Sequence, residues 1–518
     1  GVSFKSNGFC DGLMRVESQS QSLAHLLIGL LLLQIIAGLS TPALVLDPPI
    51  DSKLTNSTLT NNGDGTWTVT YSVGMDTTLD SGNTTSDRTG HPQFEVGWTA
   101  DRQETRIGLL GLDLSAEGFP TNTTIENASL QLHLDFSPGP VDVQAWSILR
   151  QDWAIEESTW ITRNVNSQWS SPGALGNMDS GAWQDRQLVQ PNSSVVEFDV
   201  TQTVEIAQYH QLNGQDSRAG FLLTPGLGGE IGVSSFHSSE STLSSHRPVL
   251  EITFRWASPS FLSNSPTWVD IQPKLGISDA DSNLDFIAQI RSERGSTINA
   301  GVTWSTTSGV IDGSGRLSPT QSGTITIGAE GAGASGTQEV MIQSGAPLGL
   351  VMANSNYSIT VDDVIPIIAH GVDQYWNPVY DLSFIWSTSS GMIDNTGMYT
   401  PTELGTHTVA AQWGNHVAIS NVTVDVGGAA RIILPEGLTA RAGVGTQIMA
   451  EAEDRLGNPL PLSAAAGLDW SVERGSIDSA GYYVGQEVGN WQINVTSGVG
   501  ANGTGIITVI PGLVNSLE

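Results

Sequence analysis

The sequence predicts an all-β chain built from several tandem β-sandwich domains. The first observation is a block of the form Trp-Ser followed by Gly-x-Ile-Asp-x-x-Gly, which begins at Trp304, Trp386 and Trp470. These tryptophans are 82 and 84 residues apart, a spacing that indicates whole domains and not the units of a solenoid. The second observation is that apolar and polar residues alternate in short runs, which is the period of half-buried strands. The third is the absence of helical stretches from these runs, which leaves β-sandwiches as the expected architecture.

Length and charge narrow the classes of protein. The 518 residues allow roughly three to five domains of about 100 to 150 residues each. Asp and Glu number 52 against 20 Lys and Arg, a formal net charge of -32 that repels nucleic acid and anionic membranes, so we expect no nucleic-acid partner. The acidity fits a salty extracellular setting, and it fits equally a large β-protein that is kept soluble without any partner. Cys10 is the only cysteine, so no intrachain disulfide can form.

Residues 1–43 are predicted to be a signal segment. Residues 23–39 form an apolar run of signal-peptide length, and the small residues Ser40, Thr41 and Ala43 follow it. Because the chain opens with Gly1, we expect Met14 to be the initiator, with residues 1–13 untranslated or part of a fragment. The alternative is an uncleaved anchor, since about 20 apolar residues can span a bilayer. Residues 44–64, rich in Pro, Asp, Asn and Thr, are predicted to be a linker.

Residues 65–256 are predicted to form the first folded domain. Its motifs follow the order Arg106 to Leu114, Ile125 to Leu132, Trp153 to Trp160, Phe198 to Thr201 and Arg247 to Ile252. This succession resembles the disaggregatase-related (DNRLRE-type) domain, which is also classed as a carbohydrate-binding module. The resemblance implies a jelly-roll β-sandwich of secreted and surface proteins, with glycan binding in some members. The domain departs from members that bind acidic glycans at a basic site, because it contains more Asp and Glu than Arg.

Three repeats follow, at residues 257–345, 346–427 and 428–512. A polar turn precedes the Trp strand in the second and third repeats, Asp373 to Pro378 and Asp454 to Pro459. Together with the Trp block and the closing strands, these turns resemble bacterial and archaeal Ig-like repeats of surface proteins and adhesins. The resemblance implies three Ig-like sandwiches. We expect the tryptophans of the repeated block, each on an inner strand, to be the centre of a sandwich core and not ligand contacts.

Two groups of acidic residues predict Ca²⁺ sites. Asp279, Asp281, Asn283 and Asp285 place oxygen ligands at alternate positions, the spacing by which a loop wraps a hard cation. The alternative is a solvated acidic turn, since Leu284 stands where such loops carry Gly. A second group, in a loop rich in Gly and Thr, consists of Asp76, Asp80 and Asp87.

Exposed aromatics with polar neighbours predict glycan binding, because flat rings stack on sugar faces. Trp169 and Trp183 lie in a long stretch of Ser, Gly, Asn and Asp, where burial explains an aromatic less easily. We predict that these two residues form the platform, with Arg163 and Arg186 as polar partners. The other tryptophans of the domain are expected in the core.

The sequence names no catalytic constellation. The nine histidines are scattered without an HExxH or G-x-S-x-G motif, and His237 beside Glu240, or Asp113, are isolated candidates. We therefore expect a secreted, cell-surface protein whose jelly-roll domain binds extracellular polysaccharide or envelope components and whose repeats act as a stalk. The alternatives are a purely structural or protein-binding adhesin and, more remotely, a polysaccharide-degrading enzyme. Nine N-x-S/T sequons also predict glycosylation, although chance generates them in such a sequence, at Asn56, Asn83, Asn122, Asn127, Asn192, Asn356, Asn421, Asn494 and Asn502.

Overall fold

A computed structural model describes residues 57–99 and 102–513. The predicted signal segment 1–43 and most of the linker 44–64 lie outside the described residues. The chain divides into two compact units. The first runs to Ser265 and includes Glu293–Ser296, and the second comprises Pro266–Ser292 and the residues from Thr297. Within the described ranges, no helix has the length and apolar character needed to cross a bilayer.

The first unit is a β-sandwich with one α-helix among its described residues. Its elements are β1 (Ser57–Asn61), β2 (Trp67–Ser72), β3 (Met75–Asp80), β4 (Gln93–Trp98), β5 (Thr105–Asp113), β6 (Thr123–Phe136), β7 (Val141–Ile148), β8 (Thr162–Asn164), β9 (Ser167–Gln168), β10 (Ser180–Val189), β11 (Val195–Asp199), α1 (Thr201–Leu212), β12 (Arg218–Gly229), β13 (Val233–His237) and β14 (Val249–Trp256). Strand β1 lies inside the predicted linker 44–64. Its residues belong to the folded domain, because the whole strand pairs with β2 and Leu59 packs against the core.

Twelve strands of this unit form one hydrogen-bonded network over a shared core, and ten of them follow a single path. The path runs β1-β2-β14-β6-β13-β4-β5-β12-β7-β10, with β11 paired to β6 and β3 to β5. The 14-residue β6 bridges the two layers, since its first part pairs with β14 and its end pairs with β13. Side chains of both layers, such as Leu130 and Ile252 on one and Leu110 and Phe221 on the other, fill a single buried cluster. The prediction of two packed sheets is confirmed, and β10 is left at one end of the path.

The helix α1 was not predicted from the sequence. Its buried face mixes apolar Val204 and Ala207 with polar Thr203 and Gln208, so no helical stripe of apolar residues is visible. Gln208 is accommodated because its amide donates to the Thr123 carbonyl at 2.9 Å. The expectation of strands alone after the signal segment is therefore wrong at residues 201–212.

The second unit contains three sandwiches in succession, and each set of strands lies within the predicted repeat boundaries. The first comprises β15 (Pro266–Gln272), β16 (Gly276–Asp279), β17 (Leu284–Asp285), β18 (Ile287–Ser292), β19 (Thr297–Ile298), β20 (Thr303–Thr306), β21 (Val310–Ile311), β22 (Arg316–Ser318), β23 (Gly323–Gly331) and β24 (Ala334–Gln343). The second comprises β25 (Gly349–Met352), β26 (Asn356–Thr360), β27 (Ile365–Pro366), β28 (Ala369–Val372), β29 (Pro378–Val379), β30 (Ile385–Thr388), β31 (Met392–Ile393), β32 (Met398–Thr400), β33 (Gly405–Trp413) and β34 (His416–Asp425). The third comprises β35 (Arg431–Ile433), β36 (Leu438–Arg441), β37 (Gly445–Gln447), β38 (Glu451–Glu453), β39 (Pro459–Leu460), β40 (Leu468–Val472), β41 (Ser476–Ile477), β42 (Tyr482–Val484), β43 (Gly489–Ser497) and β44 (Asn502–Ile510). The described residues are thus all-β apart from α1 and short helical turns, which confirms the predicted fold class.

The tryptophans of the repeated block pack against the cores of the three repeats. Gly397 adopts a φ of +85°, and a Cβ placed on it would lie 2.5 Å from the Ile367 carbonyl oxygen and 2.9 Å from the Trp386 ring. Gly481 stands in the same relation to Trp470. The prediction that these tryptophans pack is confirmed, but their strands β20, β30 and β40 are at the edge of each sheet and not inside it. Each ring is only half-buried and closes the rim of its core.

Candidate functional site

Trp183 is the predicted platform residue that the fold leaves open. It lies on β10, at the end of the strand path, and its side chain is 52% exposed. A bulge follows it, because Trp183 faces Trp146 in the ladder whereas Asp185 faces the very next residue of β7, Ala145. The two indoles differ in environment, since Trp146 is buried and its Nε1 donates to the Thr224 hydroxyl at 3.0 Å.

The prediction for Trp169 needs correction. Its side chain is only 5% exposed, and its Nε1 donates to the Thr159 carbonyl at 3.0 Å. A ring in this position presents no face on which a sugar could stack, so Trp169 belongs to the core. Trp98 and Trp153 are buried as expected.

Arg163 lies on the small two-stranded sheet β8–β9, not on β10. Its guanidinium binds Asp152 through two hydrogen bonds of 3.0 and 2.9 Å. The hydrogen bond from Arg163 lowers the pKa of Asp152, against a smaller opposing effect of burial. The arginine therefore holds the loop before β8 together.

Arg186 lies three residues after Trp183 on β10. It makes a bidentate ion pair of 2.8 and 2.7 Å with Asp142, whose side chain is buried, while the arginine is 37% exposed. The Asp142 carboxylate also accepts from the Gly228 amide at 2.8 Å. Arg186 is thus fixed in place on the strand that carries Trp183, with part of its side chain open to solvent.

A polar groove runs beside β10. It has a volume of about 530 Å³ and is lined by Asn127, Ser129, Gln187, Leu188, Ser193, Val195, Val196, Glu197 and Asp199, from strands β6, β10 and β11 and the approach to β11. Leu188 and Val195 are partly exposed at 50% and 37%. The groove combines amide, hydroxyl and carboxylate groups with three apolar side chains, which is the mixture that sugar hydroxyls and C–H faces require. Sequence reasoning missed it because Asn127 and Gln187 are 60 residues apart along the chain.

Asp185 connects the groove with the strand that carries Trp183. Its carboxylate accepts from the Asp199 amide at 3.0 Å and from the Gln187 side chain at 2.9 Å. These contacts tie β10 to the end of β11 and fix one wall of the groove. Trp183 lies two residues before Asp185, so the exposed indole and the groove share one strand.

The fold separates the predicted Ca²⁺ ligands of the first repeat. Asp281 accepts from the Ala346 amide at 2.6 Å and from the Gln374 side chain at 2.8 Å, whereas Asp285 pairs with Arg316. Asn283 accepts from the Ser318 hydroxyl, and Asp279 accepts from the amide of Asp281. Among the described residues, no three His, Cys, Asp or Glu side chains converge as metal ligands would. These oxygens serve protein donors, and Ca²⁺ binding stays a prediction.

The second acidic group is also divided. Asp80 is buried between Arg88, at 2.9 Å, and Arg106. Asp76 accepts from the Ser239 amide at 2.7 Å, and burial raises its pKa despite this hydrogen bond. Asp87 accepts from Thr89 within its own turn. Each carboxylate has its own structural partner.

Three histidines gather at one place in the first unit. The rings of His133 and His246 stack with centroids 4.7 Å apart, and His237 lies 4.9 Å from His246. His237 also contacts the Ser241 hydroxyl at 3.0 Å and lies 3.7 Å from Asp135. This order of Ser, His and Asp does not make an accessible nucleophile, because Ser241 is 2% exposed and its hydroxyl accepts from the Leu243 amide. The cluster is part of the packed fold.

Known proteins share only a weak similarity with this chain. No protein-family profile matches the chain, and no curated protein matches it. Solved structures that it resembles include the Escherichia coli adhesin FdeC, with a TM-score of 0.27, 13% identity, and coverage of 48% of this chain and 99% of that one. Another is invasin, a bacterial integrin-binding protein, with a TM-score of 0.24, 10% identity, and coverage of 80% and 78%. A third is Drosophila N-cadherin EC1-4, with a TM-score of 0.23, 12% identity, and coverage of 50% and 78%. The resemblance of residues 65–256 to the disaggregatase-related domain stays a prediction.

Proposed function

We infer that the protein is an extracellular, cell-surface protein whose first unit binds polysaccharide at β10 and whose three repeats extend that unit from its attachment. The observation that carries the binding role is the exposed indole of Trp183 on the same strand as the polar groove. An aromatic face supplies stacking on a sugar ring, and the amides and carboxylates of the groove supply hydroxyl contacts. The three sandwiches in succession support the role of the repeats.

The chemistry of the groove indicates the class of glycan. Glu197 and Asp199 line it, and the Arg186 guanidinium is already neutralised by Asp142. A polyanionic glycan would meet repulsion here, since like charges at close range cost free energy. We therefore propose a neutral polysaccharide as the ligand.

The test is a glycan-array screen of the full chain, followed by titration of any neutral oligosaccharide that binds, with Ca²⁺ and with a chelator. We expect Trp183→Ala to weaken binding by about tenfold or more, since stacking and burial of an indole contribute about that much. Trp376→Gly is the matched control, because it removes an exposed tryptophan of the second repeat, and it should leave glycan affinity unchanged.

The results of this screen distinguish the proposed function from its alternatives. Binding that is unaffected by Trp183→Ala, or absent for every glycan, would overturn the proposal in favour of a structural or protein-binding adhesin. Release of reducing ends from a bound polysaccharide would instead favour the enzyme alternative. Loss of affinity in the chelator alone would support the Ca²⁺ prediction.

A further inference from the structure

The turn between β28 and β29 contains an unusual backbone conformation. Trp376 has a φ of +68°, and it is the one aromatic among the non-glycine residues with positive φ in the described ranges. The others are Arg102, Ala174, Ala332 and Ala466. A bulky side chain at positive φ is a rare conformation with an energetic cost, and such residues concentrate at functional sites.

The third repeat shows that this turn does not require tryptophan. Its equivalent turn, between β38 and β39, has Gly457 at the same place with a φ of +85°. The hydrogen bonds correspond one by one: the Trp376 amide donates to the Asp373 carbonyl at 3.1 Å, and the Gly457 amide donates to the Asp454 carbonyl at 3.1 Å. Glycine adopts this conformation without steric cost, so the second repeat has a less favourable residue in an otherwise identical turn.

The turn of the second repeat is held from several directions, as is its counterpart around Asp454 in the third repeat. The Asp373 carboxylate accepts from the amides of Tyr375 and Asn377 at 2.8 and 2.9 Å and from the Asn377 side chain at 2.8 Å. It also accepts from the Gly345 amide at 2.8 Å, at the junction with the first repeat. These bonds over-determine the conformation, which is the condition under which a strained residue persists.

The turn presents aromatic side chains to solvent. Trp376 is 74% exposed and its neighbour Tyr375 is 43% exposed. At the base of the same hairpin, Tyr380 is 70% exposed and its ring lies 5.6 Å from that of His370. We call residues 369–380 the aromatic hairpin. Packing does not explain an exposed indole at a position where the third repeat has glycine.

The charge of the second repeat indicates what would bind there. Residues 346–427 contain no Lys or Arg. Their acidic residues, all exposed except Asp373, are Asp362, Asp363, Asp373, Asp381, Asp394, Glu403 and Asp425. An aromatic face attracts a cation through its quadrupole, and a uniformly negative surface adds long-range attraction to the same ligand.

We propose that the aromatic hairpin is a docking surface for an arginine-rich segment of a partner protein. The guanidinium of arginine stacks on indole and phenol rings, and the net negative charge of the second repeat favours its approach. This surface is in the second repeat and is independent of the polysaccharide site at β10, so either proposal can fail alone.

The experiment uses the full chain and, as probe, a peptide of alternating Arg and Gly, titrated at about 150 mM salt so that diffuse charge is screened beyond about 8 Å. We expect Trp376→Gly to weaken peptide binding by about tenfold, and Trp376→Phe to retain most of it. The same peptide with citrulline in place of arginine should not bind, because citrulline keeps the shape and loses the charge.

In Trp376→Gly, the stability of the turn and the affinity for the arginine peptide should change in opposite directions. Trp376→Gly relieves the positive φ, so we expect slower hydrogen exchange at the amides of residues 375 and 377 together with weaker binding. Equal binding by wild type and Trp376→Gly, or binding of the citrulline peptide, would overturn the proposal. It would also be overturned if Trp376→Gly abolished binding to a neutral glycan and left arginine-peptide binding intact.

Discussion

Lys274 and Asp270 form an ion pair inside the first repeat, with Nζ and Oδ1 2.5 Å apart and both side chains almost fully buried. Burial lowers the pKa of Lys274, while the attraction and hydrogen bond of Asp270 oppose that shift. Arg291, which is 4% exposed, is the second cation that Asp270 attracts. The buried Asp270 carboxylate therefore attracts two buried cations.

Because Asp270 attracts two cations, we predict that Asp270 is harder to replace than Lys274. We expect Asp270→Ala to destabilise the first repeat by about 3–5 kcal/mol, because two buried cations lose the attraction of this carboxylate. Lys274→Met should cost less, since Arg291 still neutralises Asp270. The measurement is urea unfolding of the full chain, followed by hydrogen exchange of peptides from β15 and β18. Equal losses in the two variants would show that Arg291 does not compensate.

Asp281 is predicted to hold the junction of the first and second repeats. Asp281→Ala removes its bonds to the Ala346 amide and to Gln374, which together contribute about 1–3 kcal/mol. Amide exchange at Ala346 should then accelerate at least about fivefold. Asp285→Ala is the matched control, because its partner Arg316 is exposed and lies within the first repeat. If Ca²⁺ slowed exchange in wild type and not in Asp281→Ala, the ion-binding prediction would gain support.

The repeated glycine of the Trp block should not tolerate a methyl group. In Gly397→Ala the new Cβ meets the Ile367 carbonyl and the Trp386 ring at a φ of +85°, so we expect a loss of about 2–4 kcal/mol. Gly414→Ala separates the cost of a positive φ from the cost of the steric contact, because Gly414 has a φ of +56° and open space around it. We expect this substitution to cost about 1 kcal/mol of stability. Thermal unfolding monitored by hydrogen exchange would distinguish the two variants. Similar losses of stability in both would argue against a role for the contact between Gly397 and Trp386.

The histidine cluster predicts acid sensitivity of the first unit. Burial, and then the charges of His246 and His237, lower the pKa of His133 below its ordinary value of 6.5. A lowered pKa means that the unfolded chain binds the proton more tightly, so stability should fall as the pH drops below about 6.5. His133→Phe should flatten this dependence between pH 7 and 5, whereas His91→Phe, at an exposed position, should leave it unchanged. Calorimetry of the full chain at several pH values checks both variants.

Sequence reasoning succeeded where local pattern determines structure. The Gly-x-Ile-Asp-x-x-Gly block is a turn that each Asp stabilises locally: Asp394, for example, accepts from the amides of Thr396 and Met398 at 2.8 and 3.0 Å. Such contacts span a few residues and leave a direct signature in the chain. Alternation likewise predicted the strands of both units.

Sequence reasoning was insufficient where distant residues decide the environment of a side chain. Composition suggested an exposed Trp169, but the Thr159 carbonyl and its surroundings enclose that ring. The spacing from Asp279 to Asp285 predicts a cation loop, which stays a prediction, but it gave no sign that Asp281 accepts hydrogen bonds from Ala346 and Gln374 of the next repeat. The groove beside β10 depends on strand pairing across 60 residues, and the meaning of Trp376 emerged only by comparison with Gly457. In each case the deciding partner lies outside the window in which a pattern can be recognised.

The burial of Lys274 has a practical consequence for chemical labelling. It is the only lysine in the described residues, since Lys5 and Lys53 lie outside them, and its Nζ is fully enclosed. Amine-directed reagents and lysine-specific proteases should therefore find no target in the folded repeats. Modification of Lys274 would occur only when the first repeat opens, so its time course would report the opening rate of that one domain within the intact chain.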